Sequence, residues 1–385
     1  MSSNLRLKDC QSAYLNFYGK HAIAPVHQDI RNLNDHFRRR KFLYHYLGIP
    51  EGLISEKSII EFGPGIGHNA LYISSLKPKK YTLVDGNITS IEECKKNIKQ
   101  YYPDSDYHQF IYSRIEDFSS AERYDIVLCE GVITHQPQPE MFAQHVAGFA
   151  KPGGVTVITT ADYVSVFAEV LRRVMCVFFV EGDASIEEKT SRLTQVFSEH
   201  LKTLPGMSRL HEDFILDNMI HPWTTRLFSI KDAITGLSNE HDVLGSSPRF
   251  ITDWRWYKSV SIDEVSINEK AIDLYLRSVV NFIDYRVEDL AIDQKAAYDV
   301  CQYCEEIYWA AVDVTEKWSM ENYQKIAAAC LPVRDLIKKV SPLTAESINE
   351  AIEFFKNPSE NFNLRSTAFK SWFGRGQQYL SFVKR

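Results

Sequence analysis

The chain has 385 residues, 44% hydrophobic and 24% charged, with a net charge of −6 and seven cysteines. That length exceeds one average domain and predicts two, or one enlarged by insertions, around a core of good size. The acidic balance argues against general binding of nucleic acid, which needs clustered Lys and Arg, while the odd, scattered cysteines read as reduced thiols.

The chain opens without a basic segment leading into an apolar one, so no secretory signal is expected. Its most apolar run, 174–180, follows Arg172 and Arg173 and is much shorter than the roughly 20 residues that cross a bilayer. No membrane span and a cytoplasmic location are therefore expected. Residues 1–50 mix Tyr, Phe, His and Arg at helical spacing, and the basic cluster Arg38, Arg39, Arg40 and Lys41 reads as a solvated helix face.

The stretch 58–70 is the segment around which the chain is organised. Ser58-Ile59-Ile60-Glu61-Phe62 is a short apolar run that breaks into Gly63, Gly65 and Gly67 on alternate positions, the pattern of a buried strand, a tight loop and a helix. Glycines there allow φ > 0 and let a ligand approach the backbone more closely than a Cβ permits. A dinucleotide fingerprint would need glycine at 68, where His68 stands, and a phosphate loop would need a Gly-Lys-Ser/Thr ending that is missing. With Glu61 two residues before the first glycine, the stretch resembles class I S-adenosylmethionine-dependent methyltransferases.

A helix to about residue 76 is predicted next, then a strand at 81–84 ending in Asp85, 22 positions after Gly63. An acid at the end of the second strand is placed to accept hydrogen bonds from ribose hydroxyls. A helix with Ile91, Cys94 and Ile98 on one face leads to a third strand, 108–112, and then to Ser113-Arg114-Ile115-Glu116-Asp117. In the resembled family this loop meets the adenine ring, which implies the backbone of Ile115 with an acid from Glu116 or Asp117. Arg114 stands where that acid usually lies.

The fourth strand, 124–130, ends in Glu130 and is followed by His135 and Pro137. After another helix, Lys151-Pro152-Gly153-Gly154 reads as a turn into the fifth strand, 155–159. This order is also similar to the methyltransferase family. Alternating strands and helices predict a doubly wound α/β sheet whose ligands bind outside the carboxyl ends of the strands. The resemblance covers about 58–160 and implies that Glu61, Gly63, Gly65, Gly67, Asp85, Ile115, Glu116 and Glu130 hold S-adenosylmethionine, with S-adenosylhomocysteine as the product.

Family members of this kind often carry N-terminal helices over the cofactor, which implies a lid at 1–50 including Tyr14, Tyr18 and Gln28. The full expected architecture is a seven-stranded methyltransferase sheet over 51–260, a helical insertion at about 161–226, and a C-terminal α-helical domain over 261–385. A helix at 228–237 and strands at 241–244 and 252–257 are predicted to complete the sheet, the last antiparallel. In the helical remainder, Ser319 with Asn322 and Ser341 with Thr344 read as helix starts, and Pro332 and Pro342 as punctuation. Cys301 and Cys304 form a C-x-x-C with no second pair or nearby His to complete a zinc set, so no metal is expected.

Methyl transfer is an in-line displacement, helped chiefly by holding donor and acceptor together. A hydroxyl acceptor would gain from a general base near neutrality, for which His135, His211, Asp213 and His221 are the candidates. The expected acceptor is a small molecule or glycan precursor. Methylation of RNA or protein, and a cofactor-binding scaffold without catalysis, are the alternatives. The sequence leaves open which atom is methylated, and whether the chain forms a homo-oligomer.

Overall fold

The computed structural model describes residues 28–385 apart from 181, 208, 222, 224, 261–263, 317 and 363–365, and the side chains of His135 and Glu316 are also outside the description. The contacts divide the chain into two units, Met1–Ala161 with Thr225–Leu274 and Gln378–Arg385, and Asp162–Thr224 with Tyr275–Gln377.

In chain order the first unit begins with α1 (Leu33–Tyr46), β1 (Ser58–Phe62), α2 (Ala70–Ser75), β2 (Lys80–Asp85), α3 (Ile88–Tyr101), β3 (His108–Tyr112), β4 (Tyr124–Cys129), α4 (Pro139–Ala147) and β5 (Ala150–Thr160). The second unit contributes α5 (Phe167–Phe179), α6 (Ile186–Leu201) and α7 (His211–Ile215), which continues as a π-helical turn, Leu216–Ile220. The chain returns to the first unit with α8 (Ile230–Leu237), β6 (His241–Ser247) and most of α9 (Ile267–Arg277). The second unit resumes with α10 (Val279–Ile283), α11 (Gln294–Glu316), α12 (Met320–Lys338) and α13 (Pro342–Lys356), and β7 (Gln378–Lys384) ends the chain in the first.

The seven strands form one sheet in the order β3-β2-β1-β4-β5-β7-β6. β1 to β5 are parallel, and β7 runs antiparallel to both β5 and β6. The order in which strands are added reverses between β1 and β4, so the crevice above these two strands is the switch point of the doubly wound fold. Side chains alternate across a strand, which puts Ile59 and Glu61 on one face of β1. Ile59 packs there with Tyr81, Leu83, Ile126 and Leu128 under α2 and α3, so the carboxyl of Glu61 shares an apolar face. On the other face Phe62, Phe118 and Phe149 form an aromatic triplet with ring centroids 5.3–5.6 Å apart.

The sequence-based expectations need three corrections here. Residues 252–257 are loop, with Trp254, Trp256 and Tyr257 exposed; the final strand is β7, from a segment expected to be helical. Lys151 to Gly154 do not precede the fifth strand but bulge within it, between the pairings Tyr124↔Ala150 and Ile126↔Val155, with Gly153 at φ 74°. Pro332 lies inside α12, whereas Ser319 and Ser341 cap α12 and α13 by accepting from the N–H of Asn322 and Thr344.

The second unit is helical among the described residues. Arg172 is fully buried in it, donates to the carbonyls of Ala168 and Phe369, and lies 3.8 Å from the Phe373 ring. Burial lowers its pKa to about 9, partly opposed by Glu169. Cys301 and Cys304 fall on α11, with Cys304 buried.

Candidate active site

At the carboxyl end of β1 the chain turns through Gly63, Gly65 and Gly67 at φ 71°, 56° and 81°, conformations that residues with a Cβ rarely adopt. The space is also closed to one: a Cβ at Gly63 would lie 2.4 Å from Val132 Cγ2, and at Gly67 2.6 Å from Cys94 Sγ. Asp85, at the end of β2, ties this loop to the next. Its Oδ2 accepts from Gly65 N at 3.1 Å and its Oδ1 from Asn87 N at 2.8 Å, and Asn87 in turn caps α3. Burial pushes the Asp85 pKa up to about 6, with the two backbone N–H groups pulling it back. Each carboxylate oxygen retains a lone pair for a further donor.

Glu61 receives the hydroxyl of Tyr81 and is buried. Its pKa is pushed up to about 7, first by desolvation and then by the negative charge of Glu130. Glu130 follows β4 and is likewise enclosed. Its Oε1 accepts from Arg40 Nη2 at 2.7 Å and from Tyr44 Oη at 2.9 Å, while its Oε2 is buried without a hydrogen-bond partner among the described residues. Desolvation works against the charge on Arg40, but Glu130 and Tyr44 outweigh it and its pKa is raised.

Arg40 corrects the reading of the basic cluster in α1. Arg38, Arg39 and Lys41 are exposed, but His36, Arg40 and Tyr44 form a buried stripe at i, i+4 and i+8. The four-residue spacing was the available signal. His36 Nε2 donates to the carbonyl of His68 at 3.0 Å, and burial, with Arg40 nearby, lowers its pKa to about 4. His68 Nδ1 accepts from the backbone N of Gln28 at 3.2 Å. Of the expected lid residues, Gln28 thus meets the end of the Gly loop; Tyr14 and Tyr18 lie outside the described residues.

Ile115 and Glu116 form a 3₁₀ turn after β3. The Ile115 carbonyl accepts from His145 Nε2 at 2.9 Å, and Glu116, buried, is held by Arg114, whose Nε lies 2.8 Å from its Oε1. Arg114 therefore orients the acid beside it. His135 ends a 3₁₀ turn, Ile133–His135, just past Glu130. Gly131, at φ 76°, donates to Thr159 Oγ1 at 2.7 Å and fixes the start of that segment.

The other candidate bases belong to the second unit. His211 begins α7 with Nδ1 3.4 Å from Ser198 Oγ, and the Asp213 carbonyl accepts from Arg209. His221 is buried, its carbonyl held by Arg173 Nη2 at 2.6 Å, and the Arg173 guanidinium lies 4.5 Å from the Trp223 ring. Among the described residues no group of three or more His, Cys, Asp or Glu could hold a metal ion.

A cavity of about 610 Å³ opens at the opposite rim of the sheet, lined by the amino ends of the strands, with Ser58, Lys80, His108, Asp125 and Lys151 among its walls. Lys151 bridges to Asp125 at 3.0 Å and Lys80 to Glu122 at 2.6 Å, so its charges largely serve one another. The Gly loop and Asp85 stand at the far ends of the same strands, where ligands of open α/β sheets bind.

Comparison with known proteins agrees with that geometry. Residues 34–200 match the family described as methyltransferase domain. A ubiquinone biosynthesis O-methyltransferase of Rickettsia felis is 29% identical over 109 residues, which are 28% of this chain and 43% of that protein. Among solved structures, PKMT2 from Rickettsia typhi in complex with AdoHcy has a TM-score of 0.44 at 17% identity, covering 62% of this chain and 49% of that one. Magnesium protoporphyrin IX methyltransferase from Synechocystis PCC 6803 with bound SAM has a TM-score of 0.32 at 17% identity, covering 42% and 79%. The chain thus spans less than half the length of the two Rickettsia proteins it matches. The domain match, which spans 34–200, falls on the segment that holds the Gly loop, Asp85 and Glu130, and there the chain is similar to methyltransferase domains.

Proposed function

We propose that the chain transfers a methyl group from S-adenosylmethionine to a small-molecule or glycan-precursor acceptor and releases S-adenosylhomocysteine. The observation that supports this most is the left-handed Gly63-Gly65-Gly67 loop tied through Gly65 N to Asp85. The residues fit the cofactor: the half-buried Gly63 and Gly65 turn the backbone toward the crevice at the carboxyl end of β1, and Glu130 Oε2 is a buried acceptor with no hydrogen-bond partner among the described residues.

When bound, S-adenosylmethionine supplies an electrophilic methyl group on a sulfonium. In this reading Asp85 accepts from the ribose hydroxyls, the Gly loop lies against the cofactor, and Glu61 and Glu130 border the ammonium of its amino-acid end. Ile115 and Glu116 border the adenine. His135, just past Glu130, is the first choice for a base when the acceptor is a hydroxyl. His211, Asp213 and His221 are the other candidate bases.

Incubation with methyl-labelled cofactor and separated small-molecule, protein and RNA fractions tests the acceptor class. Label is expected in the small-molecule fraction. Label confined to protein or RNA would overturn the acceptor assignment and leave the cofactor assignment standing.

A further inference from the structure

The side chains of Arg40 and Glu130 are only 7% and 6% exposed, yet the ion pair they form is incomplete. A guanidinium and a carboxylate can meet fork to fork, through two parallel N–H···O bonds that use both oxygens. Here Glu130 Oε1 takes Arg40 Nη2 and the Tyr44 hydroxyl together, and two atoms are left over. Arg40 Nε is a buried donor and Glu130 Oε2 a buried acceptor, each without a hydrogen-bond partner among the described residues. Polar atoms of charged groups are costly to bury unpaired, so both require a partner.

The surroundings of the pair narrow what that partner is. β1 and β4 align Phe62 with Cys129, which puts Glu130 level with Gly63, where the Gly loop begins. The helix that carries Arg40 also meets the other end of the loop, through His36 Nε2 on the carbonyl of His68 at 3.0 Å. A lone cation at this place would satisfy Glu130 but face Arg40, and a lone anion would do the reverse. An ammonium and a carboxylate on one carbon satisfy both, the first as donor to Oε2 and the second as acceptor from Nε.

We propose that Arg40 and Glu130 together hold the zwitterionic amino-acid end of S-adenosylmethionine, Glu130 Oε2 accepting from its ammonium and Arg40 Nε donating to its carboxylate. The assignment rests on the cofactor reading above and extends it to α1, which becomes a wall of the cofactor site. Tyr44 is a positioning residue: by occupying Oε1 it leaves Oε2 for the ligand.

The test titrates the full chain, by calorimetry near neutral pH, with S-adenosylhomocysteine, with its decarboxylated form, and with 5′-methylthioadenosine, which lacks the whole amino-acid end. The unmodified chain should bind them in that order of affinity, each truncation costing about tenfold. E130Q turns its amide oxygen to Arg40 and Tyr44 and sets an N–H where Oε2 stood. It should weaken the first two ligands by about tenfold and leave methylthioadenosine within about twofold, which also shows the fold intact. R40K keeps a cation beside Glu130 but loses the planar fork, and should weaken S-adenosylhomocysteine by about tenfold and the decarboxylated form much less. The proposal is overturned, with the cofactor reading left standing, if the unmodified chain binds methylthioadenosine as tightly as S-adenosylhomocysteine. It is overturned in the same way if the variants weaken all three ligands alike, as a pair acting on the fold alone would, or weaken none, as water serving both atoms would. No binding of any of the three overturns the cofactor reading and the proposal together. Where a variant fails to fold, the order of the three ligands on the unmodified chain decides.

Discussion

Arg40 and Glu130, 90 residues apart in sequence, meet at 2.7 Å in a buried ion pair that fastens α1 to the carboxyl end of β4. Tyr44 joins them on the same carboxylate oxygen and stacks on Tyr72 of α2, with centroids 5.8 Å apart. One helix thus contacts the end of the Gly loop through His36 and the end of β4 through Arg40.

Breaking this pair from one side should be expensive. Arg40→Met strands the Glu130 charge in the interior and is expected to cost about 3–5 kcal/mol, read from denaturant unfolding. Arg40→Met with Glu130→Gln should cost clearly less than the two single changes added together. Additive losses would mean that the two groups act independently.

Glu61 makes its own contribution to the pH dependence of stability. Its folded pKa of about 7 lies above its ordinary 4.5, so the folded chain holds a proton there that the unfolded chain releases. Its contribution is complete below about pH 4.5 and is lost as pH rises through about 7. Glu61→Gln keeps an acceptor for Tyr81 and cannot titrate. The stability difference between the original chain and this variant should therefore shift against the original as pH rises across that window, in urea titrations at a series of pH values. A difference independent of pH would show Glu61 ionised throughout.

Gly67 is constrained by both its dihedral and its neighbour. Gly67→Ala should destabilise by about 1–3 kcal/mol, combining left-handed strain with the clash on Cys94. Adding Cys94→Ala should recover the part due to the clash and leave the backbone part. Full recovery, measured by thermal unfolding, would mean that φ 81° carries no cost.

Much of this was legible because it is local. The loop's glycines, Asp85 at the end of β2 and the cap at Ser341 each follow from a few neighbouring residues and a dihedral or hydrogen-bond requirement. The features that escaped depend on distant partners. Trp254, Trp256 and Tyr257 have strand-favouring side chains, but such preferences express fit to a half-buried pleated surface, and among the described residues these three are exposed and lie in none of the sheet's strands. The place in the sheet goes to β7, where Ser381 meets Gly245, 136 residues earlier in the chain. Arg40 looked like its exposed neighbours because only Glu130, far along the sequence, distinguishes it.

Asp85 should control cofactor affinity as a charge. Because its pKa is raised to about 6, S-adenosylhomocysteine binding is expected to tighten as pH rises through that value. Asp85→Asn should bind more weakly, without this rise, in calorimetric titrations across pH. The same profile in both proteins would place the titrating group elsewhere.

The most direct measurement of the central claim is isothermal calorimetry of the chain with S-adenosylmethionine and with S-adenosylhomocysteine near neutral pH. Saturable binding of both is predicted, weakened in Asp85→Ala by about a hundredfold if the carboxylate accepts from the ribose as proposed. No binding of either compound, or equal affinity in Asp85→Ala, would contradict the account.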